Sequence, residues 1–207
     1  MFERINTSGR TLLPQEIRNC VSQGEFNNLL FTLNRLPVWR TLYGLPTEDV
    51  RMRDIEFILR FFALSSNAMK TEEKEGISLK RFLNVYMDAH RNPTEAELVE
   101  YRNRFTSAVE FLSNGFGPSA FHNISSTHPD RLVEKFNPTI FDSLMIATDY
   151  ALSQDSGHLP ANAEAARRQL LTDEAYRSAI TKETMRVNSI RTRISKATQM
   201  LFGVAYE

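Results

Sequence analysis

The chain has 207 residues, enough to bury a real core as one large domain or two small ones, and its 42% hydrophobic and 24% charged residues are ordinary for a globular protein. Its formal net charge is zero, which excludes a broadly basic nucleic-acid binder and confines any such contact to a local patch. The single cysteine, Cys20, excludes an internal disulfide and points to a reducing compartment. No signal peptide is visible, since Met1 leads into a charged, polar stretch, and no apolar run is long enough to span a bilayer, so no membrane contact and a cytoplasmic location are expected.

The first stretch, FERINTSGRTLLPQEIRN (2–19), joins a polar loop to a proline-started helix. Asn6, Thr7 and Ser8 favour turns through side-chain bonds to nearby backbone, and Gly9 takes positive φ without steric cost. Pro14 suits a first helical turn, where its missing N–H is one of the unpaired donors, and Glu16 then favours the positive end of the helix dipole. Ile17, Cys20 and Val21 share a face, and Gly24 ends the segment. A glycine-bearing loop before a helix N-terminus, with Arg4 and Arg10 close by, can bind an anion, though an ordinary loop and cap explains the same residues.

Phe26, Leu29, Leu30 and Leu33 follow at helical spacing. Val38, Trp39, Leu42 and Tyr43 read as an aromatic turn before Gly44, with Trp39 a core plug rather than a stacking platform. The helix from Arg51 to about Ser65 is the most apolar and is expected to be central, through Ile55, Ile58, Leu59 and Phe62. A solvated run, Ser65 to Gly76, separates it from a helix over Leu79–His90. Thr94 and Glu97 form a capping box opening a long helix with Leu98, Tyr101, Phe105, Ala108, Val109 and Leu112 on one stripe, ended by Asn114-Gly115. Residues 117–137 are irregular and read as a boundary or mobile loop. Asn137-Pro138 starts the next helix, a shorter one carries Ala163, Ala166, Leu170 and Leu171, and a closing helix runs from Thr181 to about Phe202. Its Val187, Ile190, Ile194, Ala197 and Leu201 form a seam for another helix.

The pattern therefore predicts an all-α fold of roughly eight to ten helices. At most a minor strand pair is expected near the N-terminus, over Phe2–Ile5. The division expected is 1–116, the loop and first bundle, against 117–207, a second helical part packed on it as one continuous domain.

No catalytic set can be read from the residues. The four histidines, His90, His122, His128 and His158, lack metal-ligand spacing, and no glycine-rich phosphate loop of the Walker or Rossmann kind exists. Every basic residue before Lys70 is an arginine, which suits bidentate pairing with phosphate or with internal partners such as Glu16, Asp54 and Glu56. Lys182, Arg186, Arg191, Arg193 and Lys196 give the last helix a basic side, read as a solvated face or a track for a nucleic-acid backbone.

Taken whole, Phe2, Arg4, Asn6, Gly9, Leu12, Gln15, Glu16, Ile17, Arg18 and Asn19 fit F-x-R-x-N-x-x-G-x-x-L-x-x-Q-E-[IL]-R-N. The string resembles the signature in the middle of a family of bacterial restriction and phage-defence proteins, the GmrSD type with a ParB-like N-terminal domain. RMRDIEFILRFFAL (51–64), FLNVYM (82–87) and the stretch 180–203 extend the resemblance over most of the chain. It starts in mid-pattern: the family's Asp-Gly-Gln-Gln-Arg motif and its HNH nuclease have no counterpart in these 207 residues.

The resemblance implies the helical half of such a protein, supporting a nucleotide-using ParB-like domain in recognition of foreign or modified DNA. Arg4, Asn6, Thr7 and Gly9 would face the partner's nucleotide site, and Gln15, Glu16, Arg18 and Asn19 would brace the loop. Nucleoside triphosphate and Mg would come with the partner domain, whether joined upstream or on a separate chain. By itself the chain is expected neither to cut DNA nor to hydrolyse nucleoside triphosphates. The alternatives are a stand-alone non-enzymatic helical module binding a protein or nucleic acid, and a truncated gene remnant.

Overall fold

The computed structural model describes residues 11–128 and 130–206. Among these, eleven α-helices and one two-stranded hairpin make an irregular all-α domain. The N-terminal strand expected over Phe2–Ile5 lies outside the described residues.

The first four helices are α1 (Pro14–Val21), α2 (Glu25–Asn34), α3 (Pro37–Tyr43) and α4 (Arg53–Leu64). The aromatic turn after Pro37 is in fact helical. Pro37 occupies its first turn, and Gly44, at φ +82, closes it by donating to the Arg40 carbonyl. Trp39 is fully buried, with its indole N–H donating to Asn34 Oδ1 at 3.0 Å, so it is the expected plug. After the short α5 (Asn67–Lys70) come α6 (Leu79–Ala89) and α7 (Glu95–Phe116). The Thr94/Glu97 capping box forms as read: Glu97 accepts from the Thr94 N–H at 2.7 Å, and Thr94 accepts from the Glu97 N–H at 3.3 Å. Asn114-Gly115 does not stop α7. A Cβ at Gly115 would lie 2.4 Å from Leu159 Cδ1, so this glycine serves a close approach, and the helix ends at Gly117, φ +61.

The irregular stretch holds the hairpin, β1 (His122–Ile124) and β2 (Leu132–Phe136), antiparallel with a bulge. It is fastened to the core rather than loose. Phe121 is fully buried, and the Phe136 ring lies 4.7 Å from Phe57, 5.1 Å from Tyr43 and 5.5 Å from Phe141, centroid to centroid. Short-range alternation failed to reveal β2 because three of its five residues, Val133, Glu134 and Lys135, are exposed together on a bulge.

Asn137 caps α8 (Pro138–Ser153), accepting from the N–H groups of Thr139 and Ile140. α8 buries ten consecutive residues, Thr139 to Thr148, and shares the centre with α4, which buries Ile58 to Leu64. After α9 (Ala163–Thr172), the expected closing helix is two: α10 (Glu174–Thr181) and α11 (Val187–Phe202). The break over 182–186 lets the Ile77 N–H donate to the Met185 carbonyl and the Val187 N–H to that of Glu75. Two strand-like bonds there replace helical ones, which local periodicity cannot foresee. The α11 seam is as expected, since Val187, Ile190, Ile194, Ala197 and Leu201 are all buried. Rings from before and after residue 117 meet directly, Trp39 lying 5.7 Å from Phe105 and 5.4 Å from Phe141.

Candidate functional site

Arg4, Asn6, Thr7 and Gly9 lie outside the described residues, so the site is built from its bracing helix. α1 opens on Pro14, and the Glu16 carboxylate turns back to accept the Leu13 backbone N–H, the carboxylate half of a capping box. The same carboxylate pairs with Arg51, whose Nη2 also donates to the Thr11 carbonyl at 2.8 Å. Arg51 therefore ties Thr11 and the helix's first turn to the segment before α4.

The rest of α1 is seated through its polar side. Arg18, only 3% exposed, donates through both terminal nitrogens to Glu56 Oε2 on α4, at 3.3 and 3.0 Å. Burial holds the guanidinium pKa below its ordinary value, and Glu56 opposes that shift. Gln15 donates to Asn19 Oδ1 at 2.9 Å, and Asn19 Nδ2 points at the Met52 sulfur. Met52 takes a left-handed conformation, φ +56, as the cap of α4. At the other end Ser22 donates to Asp88 Oδ1 of α6 at 3.0 Å. Gly24 then runs under the α6–α7 turn, where a Cβ would lie 2.5 Å from the Arg91 carbonyl oxygen.

The expected bracing residues are thus brought together: Gln15, Arg18 and Asn19 are buried, and Glu16 is partly so. The face shared by Ile17, Cys20 and Val21 turns outward, with Val21 49% exposed. An amphipathic helix ordinarily turns that face inward, and here the polar bonds decide otherwise. Chemically the arrangement is a seat. It fixes the first described residues, Thr11 to Leu13, against the start of α4.

Most of the remaining arginines described before Lys70 pair with acids of the same chain, some buried and some at the surface. Arg35 pairs with Glu48, Arg40 with Asp54, Arg53 with Asp49 and Arg60 with Asp142. The basic side of α11 needs correction as well. Arg193 is fully buried, donating to Asp142 Oδ2 at 3.1 Å, so it belongs to the core and not to a surface track. Arg191 donates to the carbonyls of Met69, Lys70 and Glu72, Arg186 pairs with Glu75 and Glu183, and Lys196 pairs with Asp173. Asp142, shared by Arg60 and Arg193, was missed in the sequence, although a lone acid inside IFDSLMIA signals a buried charge in need of partners.

His122 stands on β1, its pKa lowered by burial and by nearby Arg167, with Glu134 opposing. Among the described residues no group of three or more histidine, cysteine, aspartate or glutamate side chains is placed to hold a metal ion, and no helix is long and apolar enough to cross a membrane. Comparison with known proteins finds no matching family model, curated protein or solved structure.

Proposed function

We propose that the chain is the helical part of a GmrSD-type defence protein and buttresses a nucleotide-using ParB-like domain that carries the Asp-Gly-Gln-Gln-Arg motif. On this reading Arg4 and Asn6 reach that partner's site, Thr7 and Gly9 shape the loop, and α1 holds it in place. Nucleoside triphosphate and Mg would bind with the partner, and the pair would act on foreign or modified DNA. Besides the sequence resemblance, one observation supports the reading. Gln15, Arg18 and Asn19, the polar residues of the signature that follow the loop, spend their hydrogen bonds inward on one another, Glu56 and Met52. A polar string used in this way favours a fixed loop over a second contact surface.

The test is calorimetric titration of the purified chain with a ParB-like domain bearing the motif, taken from the same genome. A complex is expected, and Arg4→Ala and Asn6→Ala should each weaken it about tenfold or more, as loss of a charged hydrogen bond worth roughly 1.5–3 kcal/mol implies. Both variants should melt within a degree or two of the parent. No complex, or a complex indifferent to both changes, sinks the reading.

A further inference from the structure

α11 keeps one side out of the core. Arg191, Ser195 and Gln199 follow at four-residue spacing, which stacks them on a single stripe, and Lys196 lies beside them. None of these four is buried, whereas Ile190 and Ile194 of the same helix are. The stripe forms one wall of a cavity of about 520 Å³, a size usual for a small-molecule site. Leu64, Met69, Ile190 and Ile194 give the cavity an apolar floor. Gly203, at φ +70, ends α11, and the chain beyond it sets the Tyr206 ring as a further wall, 4.9 Å from that of Tyr150. Ser195 is the smallest side chain of the stripe, and its place between Arg191 and Gln199 leaves the space open.

Among the described residues, every charged side chain lining the cavity is a cation: Lys70, Arg191 and Lys196. Each is positioned by the protein itself. Lys70 Nζ lies 5.1 Å from the centre of the Tyr150 ring and 5.0 Å from that of Tyr206. Arg191 Nη2 donates to the carbonyls of Lys70 and Glu72 at 2.6 and 2.8 Å, which fixes the end of α5 against α11. Lys196 donates to Asp173 at 2.9 Å, a bond that engages one of its three ammonium donors, and Asp173 does not line the cavity.

We propose that this cavity binds a small carboxylic acid with an apolar body, its carboxylate among Lys70, Arg191 and Lys196 and its hydrocarbon on the floor. Three like charges around one hollow repel one another, and an opposite charge between them relieves that repulsion. Cations already held in place need little further ordering when the ligand arrives. An inorganic anion would leave the floor in water, whereas a hydrocarbon body removes it. The cavity shares no residue with α1, so the site stands independently of the function proposed above.

The test is calorimetric titration of the full chain with octanoate, set against octanol and octylammonium as bodies of the same length. Octanoate should bind in a single saturable step, raise the melting temperature, and bind at least about tenfold tighter than either comparison compound. Lys70→Met keeps the apolar stem and removes the charge, and should weaken octanoate about tenfold while leaving octanol unchanged. Gln199→Glu, at an exposed position, adds a carboxylate to the wall and should weaken octanoate about as much, with the free chain melting like the parent. Should Lys70→Met fail to fold, Gln199→Glu decides alone. Equal affinity for octanoate and octanol reduces the cavity to an unselective apolar hollow and overturns the proposal. So does the absence of saturable octanoate binding at millimolar concentrations, or octanoate binding indifferent to the substitutions.

Discussion

Two regions of this molecule hold charges out of water, and they do so for different ends. At the centre, Asp142 of α8 is fully buried and shared by Arg60 of α4 and Arg193 of α11, which locks three core helices to one another. At the periphery, α1 is held by Arg18–Glu56 and Arg51–Glu16, where Glu56 is 28% exposed and apolar burial adds little. The comparison teaches that similar ion pairs have different consequences according to what surrounds them. In the core they set the register of helices that hydrophobic burial already holds. Under α1 they are the main attachment, so the helix is expected to open more readily than the core helices α4, α8 and α11.

The comparison breaks first at Asp142. Asp142→Ala leaves two buried guanidiniums facing each other and should cost about 3–5 kcal/mol in urea unfolding, enough to lose a marginal domain altogether. Phe62→Ala, a fully apolar loss from α4, should cost about as much by the separate route of cavity formation.

Arg18→Ala should cost less, about 1–3 kcal/mol, because Glu56 regains water when its partner goes. Hydrogen exchange sharpens the contrast. Amides of α1 should exchange several-fold faster in Arg18→Ala while those of α8 keep parent rates. Uniform acceleration of both helices would show that α1 is part of the global cooperative unit.

Smaller again is the acid end. Asp173 caps α10 and meets Lys196 at 2.9 Å; that bond, with the Tyr176 N–H, holds its carboxyl below the usual carboxylate range. A depressed folded pKa stabilises above the unfolded value of about 3.9 and is lost as pH falls through the folded value. Urea midpoints followed from pH 5 to pH 2 should therefore fall less steeply in Asp173→Asn than in the parent. The smallest effect belongs to the outer face of α1. Val21→Lys should change stability by no more than about 0.5 kcal/mol, since half of the valine already meets water.

Several elements were legible because their signals are local. Asn137-Pro138 and the Thr94/Glu97 box name helix starts through bonds made within one turn, and the α11 seam is a repeat that needs no knowledge of the rest of the chain. The division of the last helical stretch was not legible, because the bonds that compensate it come from Glu75 and Ile77, about 110 residues away. The hairpin was hidden in the same way: β2 is held by Phe136 among Tyr43, Phe57 and Phe141, not by alternation along the strand. At the site, the grouping of Gln15, Glu16, Arg18 and Asn19 came from the resemblance, and the partners Met52 and Glu56 at the start of α4 were not legible.

What the chain settled by itself is therefore its all-helical character and most of its helix starts, since capping bonds and 3.6-residue stripes act over a few residues. The tertiary structure alone decided which face of α1 turns inward and which acid neutralises the buried arginines. Helical spacing sets Ile17, Cys20 and Val21 against Gln15, Arg18 and Asn19, and the energies of the two orientations differ only through what each face meets. Glu56, Met52 and Asp88 are that difference, and folding has to bring the start of α4 and the end of α6 against the helix before α1 has an inside.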